Sequence, residues 1–281
     1  MPDVLPLKLI DLGGGAGKIE EFGASDKLPY SHLNLGGPLG DFRNLILNPN
    51  FSVNQLNLTG TVTLAAGAYG HDGWKAGASG CTYTFAVTNN VTTIIISSGS
   101  LQQIIPISNL IDDTYTLSWQ GTAQGKIGAG SYSSSPITAA VVADGHLTIE
   151  FGVGTLSLVQ FERGPYASPC AIRPYSVELT LAMWYFRVLG RGLLGIAANA
   201  SLLVVPFNLD PIPLRISPSF TGIGGSGVSG IIQISGGVLN FTGFDVPTLD
   251  SRGGFFRLTG AFTPGAQYIV LNDFARLNAR L

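Results

Sequence analysis

The chain has 281 residues, of which 45% are hydrophobic and only 11% are charged, and it contains 38 glycines and 16 prolines. This length allows one large or two ordinary domains, and such dense Gly and Pro punctuation favours short strands joined by turns over helices or disorder. A net charge of −2, with no lysine after Lys126, argues against a nucleic-acid-binding protein, which needs a basic face to neutralise phosphates. Because soluble monomers use surface charge to stay apart, the scarcity of charge also predicts an oligomer.

Residues 1–41 are too few and too glycine-rich to form a core of their own. We therefore predict that they form an extended N-terminal arm that orders against another protein or a neighbouring subunit. Their Gly-rich loop, Gly13–Gly17, does not fit a Walker A motif, which needs glycine where Leu12 stands and Ser or Thr where Ile19 stands. We interpret the loop as a flexible joint. The first residues lack the basic and apolar regions of a secretory signal.

Residues 42–165 predict a β-sandwich of the jelly-roll type. Polar and apolar side chains alternate in stretches such as Thr114–Gln120, as expected of strands with one buried face. Eight short strands at this spacing, with no helix between them, are typical of a sandwich. The predicted strands are Phe51–Leu58, Gly60–Leu64, Cys81–Val87, Val91–Ser97, Leu101–Pro106, Thr114–Gln120, His146–Phe151 and Thr155–Phe161.

Residues 166–188 predict a linker followed by the one convincing helix of the chain. Pro174 suits a first helical turn, Glu178 lies near the positive helix end, and Leu179, Ala182, Met183 and Phe186 recur at helical spacing.

Residues 189–281 predict a second, sandwich-like β domain. Its longest apolar stretch, Gly192–Phe207, is interrupted by polar residues and is too short to span a membrane as a helix, so we expect no membrane insertion. Neither a seven- nor an eleven-residue hydrophobic repeat occurs, so association would rely on sheet packing. The predicted strands are Leu202–Phe207, Gly230–Ile234, Gly237–Phe241, Gly254–Leu258, Gln267–Leu271 and Phe274–Leu281.

Three segments carry a resemblance to a known family. LVQFERG (158–164), with ASP (167–169) and RPYSVEL (173–179), resembles the end of a carbohydrate-binding-like jelly roll found in tailed-bacteriophage fibre and virion proteins. NLILNPNF (44–51) resembles the opening strand of that module, and DGWKAGASGCTYTF (72–85) its tryptophan-containing segment, although Gly73 stands where the family often has Arg. The resemblance implies a virion protein with an N-terminal attachment arm, a jelly roll, a short helix, a C-terminal β domain and a homotrimeric assembly.

Aromatic side chains are the candidate ligand contacts, because sugar rings stack on them. Trp74 and Trp119 lie in predicted strands, where a large aromatic more often belongs to the core, whereas Tyr132 lies in a loop, where binding residues gather. We therefore name Trp74, Trp119 and Tyr132 as candidate ligand-binding residues.

Catalytic and metal-binding patterns are not evident. The histidines match no nucleophile elbow or zinc motif, and Cys81 and Cys170 have no metal-like spacing. Asp112 and Asp113 fit a solvated turn better than a calcium-binding turn, and no pair of carboxylates stands out for glycoside cleavage. We therefore predict no enzyme activity, no cofactor and no metal.

The leading hypothesis is a non-enzymatic tail-fibre adhesin of a phage virion that recognises a saccharide of the host surface. It would be made in the host cytoplasm, bind other virion proteins through its arm, and form a homotrimer. The alternative is a purely structural fibre, collar or capsid-decorating component without receptor binding.

Overall fold

The computed structural model describes residues 7–11, 17–21, 43–189, 193–222, 229–233, 238–270 and 275–281. These residues confirm the predicted all-β fold with one short helix. The chain divides into two compact units, residues 1–40 and 41–281. In the first unit, β1 (Leu7–Asp11) and β2 (Gly17–Glu21) form an antiparallel hairpin. The remainder of the predicted arm, including residues 13–16 of the Gly-rich loop, lies outside the described residues.

A sandwich-like arrangement of eight strands opens the second unit. The strands are β3 (Val62–Leu64), β4 (Lys75–Thr88), β5 (Val91–Ile105), β6 (Asp113–Gln120), β7 (Gly125–Ile127), β8 (Ile137–Val141), β9 (Leu147–Phe151) and β10 (Gly154–Arg163). The hydrogen-bonded order is β3-β4-β5-β10-β6-β8, with β9 pairing β5 and β7 pairing β9, and every one of these pairings is antiparallel.

Strand β10 joins the two halves of this arrangement. Residues 154–156 pair with β5, and from Ser157 onward the strand pairs with β6, with a bulge between Ser157 and Gln160. Leu158, inside the bulge, has a φ of 48°, a conformation that locally bends a strand. The two halves enclose one core, in which Trp74, Phe151 and Phe161 are completely buried.

One predicted strand is wrong. Residues 51–58 are not a strand, because the backbone turns there: Phe51 and Asn57 have φ values of 51° and 50°. The side chain of Asn54 accepts a hydrogen bond from the Leu58 amide (2.9 Å) and donates one to the Leu58 carbonyl (3.0 Å), which closes a turn. The two strands predicted over 91–106 are one long strand, β5, and the short strands β7 and β8 were not predicted.

The predicted helix is present as α1 (Tyr175–Met183), and Pro174 is the residue before its first turn, with its carbonyl accepting from the amides of Val177 and Glu178 (both 3.0 Å). Phe186, which we assigned to the helix by its spacing, is instead the first residue of β11. Glu178 and Ala182 are the buried helix residues.

Most of the described residues of the C-terminal domain lie in antiparallel strands, so the domain is β as predicted, and six of these strands close into a barrel in the order β12-β13-β17-β16-β15-β18. A three-stranded sheet, β11-β19-β14, accompanies it. A second core, separate from that of the sandwich, includes Leu203, Val205, Phe256 and Leu258. The strands are β11 (Phe186–Leu189), β12 (Leu194–Asn199), β13 (Leu202–Asn208), β14 (Ser219–Gly222), β15 (Ser229–Gln233), β16 (Val238–Leu249), β17 (Gly253–Gly260), β18 (Gln267–Val270) and β19 (Ala275–Asn278).

The described part of the chain contains no helix with the length and apolarity needed to cross a membrane.

Candidate functional site

Tyr132 lies in the loop between β7 and β8, and this loop is fixed at several points. The amide of Ser133 donates to the Gly125 carbonyl (2.8 Å), and the amide of Gly125 donates to the Ser133 carbonyl (2.9 Å). Further along, the amide of Trp119 donates to Oγ of Ser135 (3.0 Å). These bonds hold both sides of the loop against the sandwich, so the tyrosine is presented from an ordered backbone.

The sheet beneath the tyrosine carries a polar row on its outer face. In the registers of β4, β5, β9 and β7, Lys75 is opposite Gln102, Gln102 is opposite Glu150, and Glu150 is opposite Lys126. Since successive residues of a strand point to opposite faces, all four side chains lie on the face opposite Phe151, which is in the core. The row brings together side chains that are far apart in sequence.

Gly152 lies next to the tyrosine ring. A Cβ built on Gly152 would be at ordinary van der Waals distance, 3.7 Å, from Cε1 of Tyr132. The amide of Gly152 donates to the Gln124 carbonyl (2.9 Å), so its position is set by the edge of the sheet. A side chain larger than that of alanine would therefore crowd the ring.

A charged pair adjoins the ring. Nζ of Lys126 lies 2.9 Å from Oε2 of Glu150 and 4.9 Å from the centroid of the Tyr132 ring, within the range of a cation–π contact. Oγ of Ser100 donates to Oε1 of Glu150 (2.5 Å). Burial raises the pKa of Glu150, but hydrogen bonds from Ser100, Lys126 and Tyr132 outweigh it, and the pKa is lowered overall. The hydrogen bond to Glu150 raises the pKa of Lys126, so both groups are ionised at neutral pH.

Tyr132 also borders an open groove of about 410 Å³, which we call the Tyr132 groove; it is lined by Thr122, Gln124, Tyr132, Gly152 and Val153. Tyr132 is 40% exposed and Val153 59% exposed. An exposed aromatic ring beside a threonine hydroxyl and a glutamine amide offers a stacking surface with hydrogen-bond donors and acceptors. This combination suits a saccharide ring, which has apolar faces and hydroxyl edges.

The two candidate tryptophans do not reach this groove surface. Trp74 is completely buried, and its Nε1 donates to the Asn48 carbonyl (3.1 Å). Trp119 is 6% exposed, and its Nε1 donates to the Ala123 carbonyl (2.9 Å). Both rings are in the sandwich core, where neither presents a face to a ligand. Of the three residues named from the sequence, Tyr132 remains the candidate contact.

Asp112 and Asp113, considered above as a calcium-binding turn, accept hydrogen bonds from other residues of the chain. Oδ1 of Asp112 accepts from the Ala143 amide (2.8 Å), and Asp113 accepts from Nε of Arg163 and from the Thr114 amide. Among the described residues, no group of three or more His, Cys, Asp or Glu side chains is placed to hold a metal ion.

Sequence reasoning did not identify Thr122, Gln124, Lys126, Gly152 and Val153 as neighbours of Tyr132. Strand β7 has only three residues, which is too short for an alternating pattern to be recognised in the sequence, so its pairing with β9 could not be predicted. The alternation of β9 does place Glu150 on the outer face, but Lys126, with which it forms an ion pair, belongs to another strand.

Comparison of the sequence with protein-family models and with curated proteins gave no match in either set.

Proposed function

We propose that this protein is a non-enzymatic virion protein of a tailed bacteriophage that recognises a saccharide of the host surface through the Tyr132 groove. The virion assignment rests on the resemblance of residues 44–51, 72–85 and 158–179 to phage fibre proteins. The observation that carries the binding assignment is the exposed Tyr132 ring, fixed over Gly152 beside Gln124.

The groove is suited to a neutral saccharide more than to a charged one. Lys126 and Glu150 neutralise each other, so no unpaired charge among the described groove residues calls for an ionic ligand. Stacking on Tyr132 and hydrogen bonds to Thr122 and Gln124 would then supply the affinity. Binding of this kind depends little on ionic strength, because salt screens mainly interactions between charges.

The test is a cell-binding and competition assay with the purified full-length chain. The protein should bind host cells saturably and block phage adsorption, and Tyr132→Ala should abolish both effects. Tyr166→Ala is the matched control, because Tyr166 is also an exposed tyrosine (77%) but lies outside the groove. Absence of binding by a folded, assembled protein, or equal loss in both variants, would contradict the proposal.

The alternative, a structural virion component, is favoured by a different surface. Leu194 and Ile196 are each 55% exposed on β12 of the barrel. In the strand registers Leu194 is opposite Ile269 and Ile196 is opposite Val204, so the apolar stripe continues onto both neighbouring strands. Exposed apolar stripes of this kind commonly pack against another chain.

We propose that this stripe contributes to the homotrimer in either function. Sedimentation analysis of Ile196→Lys against the wild type tests the assignment, with Val87→Lys as the control at an exposed apolar residue of the sandwich. A trimer that dissociates only in Ile196→Lys supports it, and a wild-type monomer contradicts it. The N-terminal arm would then attach the trimer to other virion proteins.

A further inference from the structure

A cavity of about 450 Å³ lies where the sandwich, helix α1 and the C-terminal residues meet. We call it the junction cavity. Its walls are aliphatic and aromatic on most sides, and Arg173 and Arg280 are the charged side chains among those that line it. The main-chain oxygen of Leu281, another lining residue, accepts hydrogen bonds from Nζ of Lys75 (3.1 Å) and from the Tyr69 hydroxyl. The lining includes Leu45, Leu47, Ile104, Pro106 and Leu181, with Tyr69, Trp184 and Tyr185 as the aromatic members.

Arg173 is already neutralised, because Glu178 accepts from its Nε (2.8 Å) and from its Nη2 (3.1 Å). Arg280 is different. Its guanidinium carbon lies 3.9 Å from the centroid of Tyr69 and 4.0 Å from that of Phe186, so the group is held between two rings. The two arginines thus contribute unequally to the charge of the cavity.

The hydrogen-bonding capacity of Arg280 is not fully used. Nε donates to Oδ1 of Asn278 (2.9 Å), whereas Nη1 is buried and has no hydrogen-bond partner in the described part of the chain. A buried donor without an acceptor is costly, and more so when it is charged. An acceptor supplied from outside the chain would remove this cost.

Arg280 has no directly paired carboxylate side chain. Among the described residues no Asp or Glu oxygen lies within ion-pair distance of this guanidinium. Asp72, whose oxygens accept hydrogen bonds from Gln55 at 2.8 and 2.7 Å, acts on Arg280 electrostatically and raises its pKa, whereas Arg276 lowers it. Burial is the largest influence and lowers the pKa of Arg280 to about 10.

We propose that the junction cavity binds a small carboxylate-bearing ring compound, with its carboxylate paired to Arg280 and its ring among the apolar and aromatic walls. A guanidinium accepts a carboxylate through two parallel hydrogen bonds. The volume suits a compact molecule of one or two rings. An aromatic acid and a sugar acid share this chemistry, and the experiment separates them.

Two pairs of probes test charge at nearly constant shape: benzoate against benzamide, and glucuronate against glucose. Binding to the full chain is followed by calorimetry and by tryptophan fluorescence, since Trp184 lines the cavity and is 41% exposed. At least one acid should bind, and its neutral counterpart should bind at least tenfold more weakly. Failure of both acids, or equal binding of acid and neutral probe, overturns the proposal.

Arg280→Met locates the binding. The variant should lose at least tenfold in affinity for the acid while it still unfolds in one cooperative transition, because methionine keeps an unbranched side chain between the Tyr69 and Phe186 rings. Unchanged affinity in this variant overturns the proposal. If it does not fold, Ile104→Trp fills the cavity from the half-buried outer face of β5 and should likewise abolish binding. Tyr132→Ala, outside the cavity, should bind the acid normally, which separates this site from the Tyr132 groove.

Discussion

Arg173 and Glu178 form a buried ion pair, with 2.8 Å between Nε and Oε2. The pair connects the start of the sandwich to the start of helix α1. Both side chains are only 3% exposed. Arg173 also donates to the carbonyls of Asn44 (2.9 Å) and Ile46 (2.5 Å), and Oε1 of Glu178 accepts from the Asn48 amide. Residues from two segments that carry the family resemblance, 44–51 and 173–179, therefore meet in one network.

Arg173→Met should destabilise the protein by about 3–5 kcal/mol, because it leaves the Glu178 carboxylate buried without its cation. Urea unfolding measures the loss. The control is Arg163→Met, which breaks the exposed pair with Asp113 and should leave the unfolding midpoint nearly unchanged. The double variant Arg173→Met/Glu178→Leu should lose less than the sum of the single variants, since the two residues act together. Additive losses would mean that the pair is not coupled.

Trp74→Ala should lower the stability of the protein far more than Tyr132→Ala. Trp74 is in the core, 4.7 Å between centroids from Phe51 and 6.0 Å from Phe151, so its truncation should cost about 3–5 kcal/mol. Tyr132→Ala should change stability by much less than that, because the ring is partly exposed at the rim of the groove. Denaturant unfolding of both variants checks this. A severe loss of stability in Tyr132→Ala would indicate that the ring supports the fold.

The Trp74 and Tyr132 cases also show what the sequence could predict. Alternating stretches such as Thr114–Gln120 determine which residues face the core, so the all-β class and most strands were predictable. A turn held by a side chain, as at Asn54, and pairing between distant strands, as between Lys126 and Glu150, leave no periodic signal. The Tyr132 groove depends on such pairing, so only its exposed loop residue could be named from the sequence.

His71 should make stability pH-dependent below neutrality. Burial lowers the pKa of His71 to about 4 from its ordinary 6.5, and the Tyr83 hydroxyl lies 2.9 Å from its Nδ1. The unfolded chain takes up this proton first as pH falls through 6.5, so stability is lost from there down to about pH 4, by about 3 kcal/mol in total. His71→Asn removes the titrating group, and its free energy of unfolding should fall less over this range. Parallel pH profiles for wild type and variant would contradict the prediction.

Gly121→Ala should destabilise the sandwich where β6 meets β10. Gly121 has a φ of 128°, and a Cβ there would lie 2.1 Å from the Thr155 carbonyl oxygen, which is backbone and cannot move aside. Gly60→Ala is the matched control: its φ is 62°, but a Cβ would meet nothing within 4 Å. We expect the control to cost only about 1–2 kcal/mol of conformational strain, and Gly121→Ala to cost clearly more, because the steric overlap is added to the strain. Thermal unfolding of the two variants measures the difference, and equal melting temperatures would show that β10 can shift to accommodate the methyl group.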